Sequence, residues 1–184
     1  MARIKSAWEI ALEKTKDITI DEEKYKAETL EKEGMALAGA FLNDVEQSPE
    51  TLQAKLSKYS DEEYKIVRTG LIKTIFSNIV LPSDNSYQLR FERTTILSSL
   101  ADPTGQAESM MAKIGAFFEQ FLAAREEFGK QMEEQMRQAL EQNPERANAS
   151  QYAKLVEQNL KRMEDQYNDA LENSKEGLRE IFGC

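Results

Sequence analysis

Residues 106–142, QAESMMAKIGAFFEQFLAAREEFGKQMEEQMRQALEQ, contain no proline, and their apolar residues fall in one register. Met110, Ile114, Phe117, Phe121, Ala124 and Phe128 step by 4, 3, 4, 3 and 4, the spacing of a heptad seam along one side of an α-helix. Met132, Met136 and Ala139 continue the seam with an offset of one, as a stutter produces. At a rise of ~1.5 Å per residue, this stretch as one helix is about 55 Å long. Downstream, Val156, Leu160, Met163, Tyr167, Ala170, Ser174 and Leu178 repeat the spacing. Between the two runs lies a turn signal, Asn143-Pro144-Glu145-Arg146-Ala147-Asn148, and Ser150 is placed to cap the second helix. Two long seams joined by a short loop are expected to fold back antiparallel. The sequence therefore predicts a long, coiled-coil-like helical hairpin over residues 106–182.

Working outward toward the N-terminus, the same reasoning gives shorter helices. Asp102-Pro103-Thr104-Gly105 separates the hairpin from a helical bundle expected over residues 21–102. Asp21 with Glu22 and Glu23 marks a helix start, and Leu30, Leu37, Ala38, Phe41, Leu42 and Val45 carry its stripe to about Gln47. Ser48-Pro49 opens a short helix in the favoured order of cap then proline. Ser60-Asp61-Glu62-Glu63 is a capping box. The helix behind it is apolar on two sides (Val67, Leu71 and Ile75; Ile66, Ile72 and Phe76) and is expected at the centre of the core. Another helix carries Leu89, Arg93, Ile96, Leu97 and Leu100. Gly34, Gly70, Gly115 and Gly129 sit inside helical patterns, which points to close helix–helix approach. The predicted class is all-α: an N-terminal helix or arm over residues 1–20, a small bundle, then the hairpin.

Composition narrows the chemistry. The chain has 184 residues and a formal charge of −9, divided as −3, −1 and −5 among residues 1–60, 61–105 and 106–184. No third is basic, so the expectation is no nucleic-acid partner. Histidine is absent, which removes imidazole catalysis and Cys/His zinc sites. The single glycines lack the context of a phosphate loop. Glu126-Glu127 and Glu133-Glu134 alternate with Arg125, Lys130 and Arg137, which reads as a solvated face with i,i+4 pairing rather than a carboxylate metal site. The sequence thus offers no catalytic, cofactor-binding or metal-ligating residues, and the chain is expected not to be an enzyme. Cys184 is the lone cysteine, and no apolar run reaches the ~20 residues needed to cross a bilayer, so a cytoplasmic location is expected.

The first residues, Met1-Ala2-Arg3-Ile4-Lys5-Ser6-Ala7-Trp8-Glu9-Ile10-Ala11-Leu12-Glu13-Lys14-Thr15, resemble the start of a family of uncharacterised bacterial proteins of the spirochaete type. The resemblance implies a cytoplasmic bacterial protein and carries no activity with it. Arg3, Lys5, Lys14 and Lys16 beside Ile4, Trp8 and Leu12 could in principle meet an anionic membrane, but Glu9, Glu13 and Asp17 argue against it. Trp8 reads better as an anchor that docks this helix on its own chain or on a partner.

These readings predict a non-enzymatic helical interaction or scaffold protein. It would act through self-association, for example as a homodimer, or through protein partner docking on the hairpin seam. Met110, Met111, Phe117, Phe118, Phe121 and Leu122 give the hairpin base an apolar arc wider than one helix covers. Either the N-terminal helices or a second copy must fill it. The residues expected at the interaction surface are Trp8, Met111, Phe118, Leu122, Tyr167, Leu171 and Phe182. The alternative is a small-ligand-binding or regulatory bundle with a pocket that includes Arg93 and Tyr64.

Overall fold

The computed structural model describes residues 22–142 and 149–184, and among these it is all-α, with no strand. Its helices are α1 (Glu22–Asn43), α2 (Pro49–Leu56), α3 (Asp61–Asn78), α4 (Gln88–Ala101), α5 (Ala107–Gln142) and α6 (Ala149–Phe182), with a 3-10 turn at Asn85–Tyr87 before α4. The expected N-terminal helix and the turn at 143–148 lie outside the described residues. Helix α6 opens at Ala149, one residue ahead of the anticipated cap.

Two starts follow the sequence signals closely. Ser48 Oγ accepts the Thr51 amide at 3.3 Å with Pro49 in the first turn of α2. At α3 the Ser60 hydroxyl accepts the Glu63 amide while Glu63 accepts the Ser60 amide, each at 3.3 Å. A hydrogen bond from Lys26, then those from Ser60, hold the Glu63 carboxyl below its usual value.

Helices α1 and α3 run in the same direction. Lys26 meets Glu63 at 2.9 Å near their starts, and Arg90 donates to both Asn43 and Asn78 at their ends. Midway the two backbones touch. A β-carbon on Gly34 would lie 2.1 Å from the Val67 carbonyl oxygen, and one on Gly70 would lie 2.1 Å from that of Glu31. The reciprocal pair admits only hydrogen at both positions, which is the reason for glycine inside these two helices. Gly115 faces the Phe91 ring instead, and nothing stands within 4 Å of the same position at Gly129.

Helix α4 returns antiparallel to α3, with the Tyr64 hydroxyl donating to the Leu100 carbonyl at 3.2 Å and Arg90 meeting Asn78 at the opposite end. Thr94 and Ser98 of α4 are buried at no energetic loss because each hydroxyl donates 2.8 Å to the carbonyl four residues back. The core gathers between α1, α3 and α4, with Phe41, Leu71, Ile75, Ile79 and Leu97 fully enclosed.

One boundary differs from the sequence expectation. Helix α1 ends at Asn43 rather than near Gln47, and Val45 is 58% exposed instead of continuing the stripe. The cause lies on α4. Arg93, buried, stacks over the Phe41 ring (4.1 Å to the centroid) and donates to the carbonyls of Phe41, Asp44 (2.8 Å) and Gln47 (2.9 Å). A cation at the negative end of a helix dipole, satisfying carbonyls that have no partner in their own helix, stops α1 and shapes the following turn.

Candidate functional site

The α5–α6 pair is where the sequence places the interaction surface. The two helices pass one another in opposite directions. The Met110 side chain lies against Gly177, Tyr167 packs on Phe117 and Phe121 (centroids 5.4 and 5.1 Å apart), and the Tyr152 hydroxyl donates to the Met132 carbonyl. Contact partners thus fall in α6 as they rise in α5.

The start of α5 is fixed by Asp102. Its carboxylate is buried and accepts the Thr104 amide (2.8 Å), the Thr104 hydroxyl (2.7 Å) and the Ala107 amide (2.7 Å). Burial pushes this carboxyl up, but the hydrogen bonds from Ala107 and Thr104 outweigh it and leave it below the usual aspartate value. The end of α6 is fixed by Phe182, edge-on to Phe76 at 6.0 Å, with the Arg68 guanidinium donating to the Phe182 carbonyl at 3.1 Å. Arg68 also donates to the Ala101 carbonyl, so one side chain joins α3 to the ends of α4 and α6.

At this base the wide apolar arc is covered by the chain's own helices. Phe118 packs with Tyr87 and Phe91 (centroids 5.6 and 5.2 Å) ahead of and within α4. Four expected interaction residues, Met111, Phe118, Leu171 and Phe182, are therefore core residues with no surface to offer a partner. That is a correction to the sequence expectation. Heptad spacing shows that a side must be covered and not which helix covers it. Leu122 and Tyr167 are half-buried, Tyr167 against the Phe117 and Phe121 rings. Trp8 lies outside the described residues.

Farther out, past the hydrogen bond from Arg125 to the Ser83 carbonyl at 2.6 Å, the two helices face chiefly one another among the described residues. Among the described residues, none of α5 after Phe121 and none of α6 before Leu171 is buried. Phe128, Met132 and Met136 on α5 and Val156, Leu160 and Met163 on α6 hold seam positions and are half-buried, while Leu140 and Leu155 are 43% and 50% exposed. The six seam residues stand where the spacing puts them, but outside the short set expected at the interaction surface. Their signal was present in the seam spacing, which persists through a stretch dense in charge.

The charges of this distal stretch are engaged along their own helix. Lys130 meets Glu126 at 2.6 Å, and Arg137 meets Glu134 at 2.7 Å and Glu141 at 3.3 Å. The hydrogen bond from Lys130 holds the Glu126 carboxyl low, and that from Arg137 does the same for Glu134. Among the described residues no three His, Cys, Asp or Glu side chains cluster as metal ligands would, and no helix is long and apolar enough to cross a membrane.

Arg93 and Tyr64 do not converge on one pocket. Arg93 faces the carbonyls that end α1, whereas Tyr64 lines an open depression of about 400 Å3 between the end of α2, the first turn of α3 and the end of α4. Burial raises the Tyr64 hydroxyl above its usual pKa.

A family model, described as a family of unknown function (DUF6657), matches residues 53–180. The chain belongs to that family. The match runs from within α2 to near the end of α6, including both the base and the distal seam, and leaves α1 and the N-terminal segment outside. Comparison with curated proteins and with solved structures gave no match.

Proposed function

We propose that this member of the DUF6657 family is a non-enzymatic helical interaction protein that docks a second copy or another protein on the distal half of α5 and α6. The observation that supports it is the half-covered seam: six large apolar side chains in register, with no residue around them buried. Full burial of such a side chain stabilises by ~1.5–3 kcal/mol, so covering the exposed half of each contributes roughly 1 kcal/mol. Six such gains are of the order of the ~4–15 kcal/mol that association costs. The partner must therefore bring apolar surface of its own, as a second helical pair does when two hairpins form a four-helix bundle. The lone cysteine and the N-terminal resemblance favour a bacterial cytoplasmic setting.

A small-ligand reading has less to rest on. It keeps the open depression beside Tyr64 and loses Arg93, whose donors face backbone carbonyls.

Sedimentation of the full chain over a wide concentration range tests the proposal, together with affinity capture from the native cell. Self-association or one stoichiometric co-purifying protein is expected, and the paired change Phe128→Glu with Met163→Glu should abolish it. A strict monomer with no captured protein would overturn the reading.

A further inference from the structure

We infer that the depression beside Tyr64 binds a small organic amine in its protonated form, at a site separate from the distal seam. Leu56 and Leu100 give it apolar surface, and Tyr59 and Tyr64 add two aromatic side chains. The balance of donors and acceptors decides the ligand. The Tyr59 hydroxyl donates to Glu33 at 3.0 Å, that of Tyr64 to the Leu100 carbonyl at 3.2 Å, and that of Ser57 to the Ala54 carbonyl at 3.2 Å. Burial, then the hydrogen bond to Glu33, raises the Tyr59 pKa, and burial raises that of Tyr64, so both phenols keep these protons. Of the lining side chains, only the Gln53 amide has an N–H left to offer. The hydroxyl oxygens keep lone pairs to accept with, and the Asp61 carboxylate can only accept.

Charge points the same way. No Lys or Arg lines the depression, and among the described residues Asp61 makes no ion pair, whereas Glu31 and Glu63 are taken by Lys73 and Lys26. Arg68, whose charge acts on Tyr64, has its donors on the Ala101 and Phe182 carbonyls. The C-terminal ends of α2 and α4, the negative poles of those helices, both meet the depression, at Leu56 and Leu100. The first turn of α3, which would draw an anion, is capped by Ser60 and carries Asp61, Glu62 and Glu63. An acceptor-rich hollow with one carboxylate and two aromatic rings suits a cation that bears N–H groups. Asp61 supplies charge-assisted hydrogen bonds, and the rings supply cation–π attraction. The volume, about 400 Å3, leaves room for an amine with a short carbon body.

Calorimetric titration of the full chain with n-butylammonium at physiological salt should show saturable binding. n-Butanol and butyrate, which carry the same body with no charge or the opposite one, should not bind. Tetramethylammonium, a cation without N–H, should bind several-fold more weakly. Asp61→Asn should weaken n-butylammonium binding about tenfold or more, the loss of a hydrogen bond between charged groups, with the helical circular dichroism unchanged. Tyr59→Leu should weaken it several-fold. Glu62→Gln removes the same charge one residue away, outside the lining, and should change the affinity by about twofold at most. No saturable binding to the unaltered chain, or n-butanol or tetramethylammonium binding as tightly, would overturn the inference. So would equal losses from Asp61→Asn and Glu62→Gln, since the cation would then follow the general negative charge. None of these readouts depends on self-association, so the site stands or falls independently of docking on the distal seam.

Discussion

Near its start α5 encloses Met111, Ile114 and Phe118 to 1% exposure or less, whereas farther along the same helix Phe128, Met132 and Met136 are half open to solvent. An apolar seam runs through both places, shifted by one residue at Met132, and the partner helix is the same. What changes is the number of neighbours. At the base α3 and α4 join α5 and α6, and Met111, Ile114, Phe118, Leu171 and Leu178 are enclosed; at the tip, among the described residues, two helices face each other and can cover only the side they share. A seam is thus a demand for partners, and the structure meets it at one end of the pair and leaves it open at the other.

The largest expected effect tests that contrast directly. Phe118→Ala should cost about 3–5 kcal/mol in urea unfolding, the usual range for emptying a closed aromatic site, while Phe128→Ala should cost only about 1 kcal/mol in the isolated chain. Equal losses would mean that the tip is as well covered as the base. If the tip docks a partner, the second substitution should weaken association far more than folding.

Next come the glycines, which carry the same contrast into the backbone. Gly34→Ala or Gly70→Ala sets a methyl against a carbonyl oxygen that cannot move without parting two helices, and should cost ~3 kcal/mol, the upper range for overpacking. Gly129→Ala, out on the distal stretch with nothing near it, should instead stabilise by about 0.5–1 kcal/mol through helix propensity. A thermal melt of the three variants suffices, and a destabilised Gly129→Ala would reveal a neighbour at the tip.

A smaller effect concerns the joint between the regions. The Asp102 carboxyl sits below its usual value of 3.8 in the folded chain, so its ionised form is favoured by folding. Its contribution is complete above that pH and is lost as pH falls through the lower folded value. Asp102→Asn should lower stability at neutral pH by about 1–3 kcal/mol, the range for a buried charged hydrogen bond. It should also flatten the acid limb of the stability profile. An unchanged acid limb would show that other carboxylates dominate it.

Much of this architecture can be read from local chemistry. Ser48-Pro49, Ser60 through Glu63, and the punctuation at Asp102 mark helix starts because caps and turns are made by residues adjacent in sequence. The seam of α5 is legible because its period is written along one helix. What the chain does not display is pairing over distance. The end of α1 is set by Arg93, which reaches the carbonyls of Asp44 and Gln47 from α4. The fit of Gly34 to Gly70 is visible as two separate glycines, never as a pair. The interaction residues moved for the same reason: Met111 and Phe118 announce an apolar face, and only the folded chain reveals that its own helices already enclose it, with Tyr87 and Phe91 against Phe118.

Arg68 and Phe182 have a mechanical consequence. Because α5 is bound at its root by Asp102 and α6 at its end by Phe182, the pair is a cantilever clamped at one end, with a reach of ~25 Å beyond Arg125, which still donates to the Ser83 carbonyl at 2.6 Å. A load applied at the free end bends the arm and bears on the clamp, where Arg68 grips α6 and α4 from α3, the helix whose backbone lies against α1 at Gly70. Whatever takes hold of the distal end therefore has leverage on the deepest joint of the molecule.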